Sequence, residues 1–121
     1  MTLDTRLFTA DELLRLPEDG SRYELVEGEL KRMSPSGLKH GRIAARIALH
    51  LGAHVLKHRL GEIYIAEAGF ILKHGPDTVR CPDVSFVRAE RVIDTISFMP
   101  GLRSLFVILF HCWSFSTGTL L

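Results

Sequence analysis

Apolar residues follow two different periods along this chain, and the switches between them mark out its elements. Thr9-Ala10-Asp11-Glu12 carries a helix-start pattern, in which Thr9 accepts from a backbone N–H and Glu12, three residues on, reaches back. A short helix is expected from there to Leu16, closed by Pro17-Glu18-Asp19-Gly20. Tyr23 to Val26 and Glu29 to Met33 then alternate as strands about Glu27-Gly28, a hairpin signal. Ser34-Pro35-Ser36-Gly37 reads as a loop. From about His40 to His58 the period lengthens: Ile43, Ile47, Leu51 and Val55 recur at fourth positions with Ala44 and Ala48 beside them, the buried stripe of an α-helix. Gly61 is placed to end it. Period-two alternation resumes at Glu62 to Glu67 and continues through Gly69 to Leu72, as two strands or one bent strand. His74-Gly75-Pro76-Asp77 makes a turn, Val84 to Arg88 the next strand, and Ala89 to Ile93 the start of a short helix. No internal repeat is visible.

The composition changes after Pro100-Gly101. Residues 102–121 hold one charge, Arg103, within a mixture of Leu, Phe, Ser and Thr, so the chain divides into a unit of residues 1–101 and an apolar tail of residues 102–121. The apolar heart of the tail, Leu105 to Phe115, is shorter than the roughly 20 residues that span a bilayer. Three readings of the tail stand: a core strand, a membrane-associating segment, or translated sequence never selected as protein. With 121 residues and a net charge of +1, the chain has material for one modest core and hardly more than one domain. Cys81 and Cys112 lie in apolar neighbourhoods without CxxC spacing, and both are expected to be reduced and buried. An early acid, Asp4, and no apolar run at the N-terminus argue against a secretory signal, so the expected compartment is the cytoplasm.

The candidate chemistry centres on Arg80-Cys81-Pro82-Asp83-Val84-Ser85-Phe86-Val87, which sets a carboxylate at the mouth of an apolar strand. Such an acid can hold a hard metal ion at a sheet edge, and it can equally be a solvated turn former after proline. By alternation, Glu67 could point to the same edge from a neighbouring strand. Arg42, Arg46, His50, His54 and His58 fall at fourth positions on one helix face, with Lys39, Lys57 and Arg59 nearby. This face could track a phosphate backbone through counterion release, or simply be solvated, and the near-zero net charge argues against strong nonspecific binding. His50 and His54 have metal-compatible spacing but no third ligand of known position. Glu24, Glu27 and Glu29 crowd the hairpin, where acids most often make the wet face of a two-stranded ribbon. His40, after the Gly- and Ser-containing loop, could assist proton transfer, contact phosphate, or cap and pack the helix.

Tyr23-Glu24-Leu25-Val26-Glu27-Gly28-Glu29-Leu30, His40-Gly41, Glu67-Ala68-Gly69-Phe70 and Arg80 to Val87 together resemble the Uma-type restriction endonuclease family, within the PD-(D/E)XK nuclease superfamily. The resemblance covers roughly residues 8–99 in order. It implies an α/β (α+β) fold, a restriction-endonuclease-like mixed sheet with flanking helices. It further implies DNA as substrate and Mg²⁺ or Mn²⁺ as cofactor, with Asp83 matching the family's metal-binding Asp. Glu24 and His40 match recurrent family positions without assigned roles. After Met99 the family pattern continues with a second Pro-Asp strand carrying a Glu and then a Lys-bearing helix, and residues 102–121 supply neither acid nor lysine. The fold is therefore expected to be incomplete at its C-terminus and phosphodiester hydrolysis to be absent or weak. The catalytic candidates are Asp83, Glu67, Glu24 and His40, and the nucleic-acid contacts Arg42, Arg46 and Lys39. A homodimer suits a nuclease that must cut two strands. The alternatives are a noncatalytic nucleic-acid-binding remnant and a nonfunctional fragment.

Overall fold

The computed structural model describes residues 6–100. They build a mixed α+β unit: α1 (Ala10–Leu14), β1 (Arg22–Val26), β2 (Glu29–Met33), α2 (Leu38–Lys57), β3 (Gly61–Ile65), β4 (Phe70–Lys73), β5 (Thr78–Arg80), β6 (Val84–Arg88), a 3₁₀ turn (Ala89–Arg91) and β7 (Met99–Pro100). Five strands form a mixed sheet in the order β2-β1-β5-β4-β7, and β3 and β6 pair separately as a ribbon. Every pairing is antiparallel except β4 with β7.

The first helix starts as its sequence dictates. Glu12 N–H donates to Thr9 Oγ1 at 3.2 Å, and Thr9 N–H donates to Glu12 Oε1 at 3.3 Å. It ends at Leu14, two residues before the expected Leu16, because Arg15 already takes a non-helical backbone and closes the turn onto Asp11 and Glu12. The hairpin turn is Glu27-Gly28, with φ of 49° and 83°. Positive φ at both central residues matches the right-handed twist of the flanking strands, and glycine takes the second position without a Cβ penalty. Leu25 and Val79 meet in register across β1 and β5, both fully buried, and α1 closes over them with Ala10 and Leu13. This is the apolar core.

Asp77 locks the pieces around that core. Its Oδ2 accepts from Ala10 N–H at the start of α1 at 2.8 Å, and its carbonyl accepts from Gly28 N–H at 2.8 Å. The bond from Ala10 holds the Asp77 carboxyl below the ordinary carboxylate range.

The second helix begins at Leu38, two residues earlier than the periodicity indicates, and packs on β3 and β6 rather than on the five-stranded sheet. Of its expected stripe, Val55 is buried, Ile47 and Leu51 are half-buried, and Ile43 is exposed, so burial fades toward the helix N-terminus. The other side of the ribbon meets the main sheet, where Tyr64 and Phe70 stack edge to face with centroids 6.1 Å apart. Close pairing of β3 with β6 requires glycine at 61, since a Cβ there would lie 1.9 Å from the Val87 carbonyl oxygen.

The alternating stretch from Glu62 to Leu72 resolves into two strands, and they belong to different sheets. Two short strands, β5 and β7, were not evident in the sequence; at three and two residues they are too short to display a period. Residues 102–121, with the tail readings, Cys112 and the expected C-terminal incompleteness of the fold, lie outside the described residues. Among the described residues, no helix is long and apolar enough to cross a membrane.

Candidate active site

Asp83 sits one residue before β6, where Pro82 is fully buried and the backbone turns into the strand. His40 occupies the first turn of α2. The packing of α2 on β3 and β6 brings these two residues, 43 positions apart in sequence, together: His40 Nε2 lies 3.2 Å from Asp83 Oδ2. Both side chains are mostly buried yet reach solvent, with exposures of 18% and 19%. A carboxylate and an imidazole so placed can share a proton, and each can offer a lone pair to a metal ion.

Glu24 plays a different part. It is 4% exposed, not on the wet face of a two-stranded ribbon, because β1 lies inside the sheet between β2 and β5. Tyr23 and Leu25 face the core, so alternation turns Glu24 to the opposite face, where Arg80 Nη1 donates to Oε2 at 2.8 Å and Cys81 N–H donates to Oε1 at 2.9 Å. The carboxylate thus grips the two residues that lead into Pro82-Asp83. Burial, assisted by the nearby Glu24 charge, pushes the Cys81 thiol up to about 11, so it is a packed apolar group and not a nucleophile at neutral pH. Cys81 is a free, buried cysteine, as expected from the sequence.

The remaining hairpin acids behave as surface groups. Glu27 pairs with Lys73 at 2.8 Å, which draws its carboxyl below the usual range, and Glu29 lies 3.0 Å from Lys31. Glu67 lies in the turn after β3, beyond the strand itself, and lines an apolar groove with Leu14, Tyr64, Phe70 and Phe98. Among the described residues, no three His, Cys, Asp or Glu side chains are gathered to hold a metal ion. The geometry therefore joins Asp83 to His40, ties Glu24 to the backbone upstream, and sets Glu67 in the groove.

Lys39, Arg42, Arg46, His50, His54 and Lys57 are all exposed on α2, and the helix contains no acid. Over 20 residues it runs about 30 Å. Gly37 caps it without a side-chain hydrogen bond, and the first turn has no acidic residue to offset the positive end of the helix dipole. The basic face and the Asp83–His40 pair thus share the N-terminal end of one helix. The pair itself could not be read from the sequence, since it depends on how α2 crosses the ribbon; the His-Gly and Pro-Asp motifs were its only signal.

A family model described as "Uma2: Putative restriction endonuclease" matches residues 10–102. No curated protein matches the chain.

Proposed function

The chain belongs to the Uma2 restriction-endonuclease family, and from that membership we propose that it is a DNA-engaging, metal-dependent endonuclease-type domain whose working corner is Asp83 with His40. The observation that carries this reading is the 3.2 Å approach of His40 Nε2 to Asp83 Oδ2 beside an acid-free basic helix. Lys39, Arg42 and Arg46 contact the phosphate backbone, and affinity falls steeply with salt as counterions are released. Asp83 is the carboxylate ligand for Mg²⁺ or Mn²⁺, a role the donor set fits because Mg²⁺ is commonly held by one or two carboxylates together with substrate phosphate oxygens and retained waters. When bound, that ion supplies charge neutralisation at the phosphate and a more acidic water.

His40 holds the Asp83 carboxylate toward the helix N-terminus and can take or return a proton at Nε2. Glu24 acts earlier in the chain by fixing Arg80 and Cys81, and so the direction from which Asp83 approaches. Residues 95–121 hold neither an acid nor a lysine, so within them the site gains no further carboxylate ligand, and the expected hydrolysis is slow. A role on DNA agrees with the cytoplasmic compartment expected from the sequence.

The test is nicking of supercoiled plasmid in Mg²⁺ or Mn²⁺, with duplex binding followed by fluorescence anisotropy across a salt series. The reading predicts slow nicking that a chelator abolishes, and binding that weakens with salt and weakens further in Arg42→Ala/Arg46→Ala. Nicking unaffected by chelator, or no salt-sensitive binding by the folded protein, would overturn it.

A further inference from the structure

The groove that Glu67 borders, about 320 Å³ in volume, runs between the ribbon and the β4–β7 end of the main sheet. Tyr64 and Phe70 line it together with Leu14 of α1 and the stretch that carries Ile93, Ile96 and Phe98. That stretch is fixed at its end. Met99 N–H donates to the Gly69 carbonyl at 2.9 Å, and Phe98 packs over Gly69, where a Cβ would collide with the ring. Its apolar side chains nevertheless face solvent: Ile96 is 100% exposed, and Ile93 and Leu14 are each 43% exposed. Apolar side chains gathered at one groove gain free energy when another apolar segment removes them from water. Asp83 and His40 do not line the groove, so it is separate from the proposed metal corner.

We propose that residues 105–110 of this same chain cover the groove. Continuity points to that occupant. Met99 belongs to the groove wall, and the next two residues, Pro100-Gly101, are in the order that a reversing turn takes at its central positions. After three further residues come Leu105 to Phe110, six apolar side chains in a row, which can return along the wall they have just left. A segment tethered through so short a linker acts at an effective concentration in the millimolar range, which favours it over a second copy.

Charge selects the same segment. Glu67 is exposed at the groove and has no ion-pair partner among the described residues. The Tyr64 hydroxyl in the groove titrates above its ordinary value, through burial first and then through the negative charges of Glu62 and Asp94. The groove is thus apolar within and acidic around it. The segment that follows Gly101 carries Arg103 as its one charged side chain, just before the apolar run. Docking therefore sets Arg103 among these acids as the run goes down onto Ile93 and Ile96. The inference does not depend on the DNA reading.

The test measures how open the groove is in the full-length protein. Ile96→Cys, carrying Cys112→Ser, is reacted with an aromatic disulfide reagent; Cys81 is buried and stays silent. Leu49→Cys in the same background, 71% exposed on α2, sets the rate of an open thiol. Each rate is divided by that of the same chain unfolded in urea, and circular dichroism and light scattering check fold and mass. The Ile96→Cys thiol is expected to react about tenfold more slowly than the Leu49→Cys thiol, equivalent to about 1.4 kcal/mol of closure. Adding Val107→Asn/Leu109→Asn should restore the open rate. Arg103→Glu should speed the reaction about threefold, as loss of an exposed ion pair does, and Glu67→Arg in that chain should slow it again. An open rate at Ile96→Cys in folded, monomeric protein overturns the proposal. A slow rate that Val107→Asn/Leu109→Asn leaves unchanged also overturns it, because a different part of the protein then does the covering. Protection that appears only as the mass doubles with concentration assigns the groove to a second copy and overturns it likewise.

Discussion

Glu24 and Asp83 are two carboxylates with cationic or cation-capable partners, linked through the short stretch from Cys81, whose N–H donates to Glu24, and their surroundings set them to different tasks. Glu24 lies inside the five-stranded sheet, 5% exposed at its side chain, bound at one oxygen by Arg80 and at the other by the Cys81 N–H. Asp83 stands where the β3–β6 ribbon meets the start of α2, open to solvent at 19% and paired with a histidine. A guanidinium stays charged at any pH a protein survives, whereas an imidazole can exchange its proton. The first arrangement is a permanent tie. The second leaves a carboxylate that a metal ion can reach.

The sharpest way to break this contrast is Glu24→Ala. Removing Glu24 takes the partner from a part-buried Arg80 and leaves the buried Cys81 N–H without its acceptor, so unfolding in urea should show a loss of about 2–3 kcal/mol. Glu24→Gln keeps an acceptor for that N–H and should lose less. A result for Glu24→Ala within experimental error of the parent would mean that the pair does not hold the sheet.

Asp77 comes next, since it ties α1 to the turn before β5. Asp77→Asn should cost about 1–2 kcal/mol at neutral pH. The pH dependence carries its own sign: the carboxyl titrates lower in the folded protein than in the unfolded chain, so its contribution is present above the ordinary carboxylate range and is lost as pH falls through the lower folded value. The parent should therefore lose stability on acidification more steeply than Asp77→Asn, read from urea midpoints across the acid range. Smaller still is Thr9→Ala, which removes the cap of a five-residue helix at about 1 kcal/mol, measured by the same denaturation.

The elements legible in the sequence were those with a local cause. The Thr9–Glu12 box, the Glu27-Gly28 turn and the long period of α2 each depend on neighbours within a few residues, and each formed where expected apart from boundaries. The burial of Glu24 depends on β5, a three-residue strand that pairs with β1 from more than fifty positions away, and nothing in the hairpin announces it. Three acids on one hairpin looked alike; only the strand order separates the buried one from the two at the surface. The Asp83–His40 meeting was likewise invisible as geometry, although both residues stood out within motifs. Glu67 shows the opposite case, a position extrapolated by alternation past the end of the strand that would have carried it.

The division of labour is tested most directly by Asp83→Ala. It should lower the free energy of unfolding in urea by only about 1 kcal/mol, the net worth of one hydrogen bond, while abolishing metal-dependent nicking of supercoiled plasmid and leaving salt-sensitive DNA binding in place. Nicking by folded Asp83→Ala at the rate of the parent would contradict the assignment of this corner as the working site.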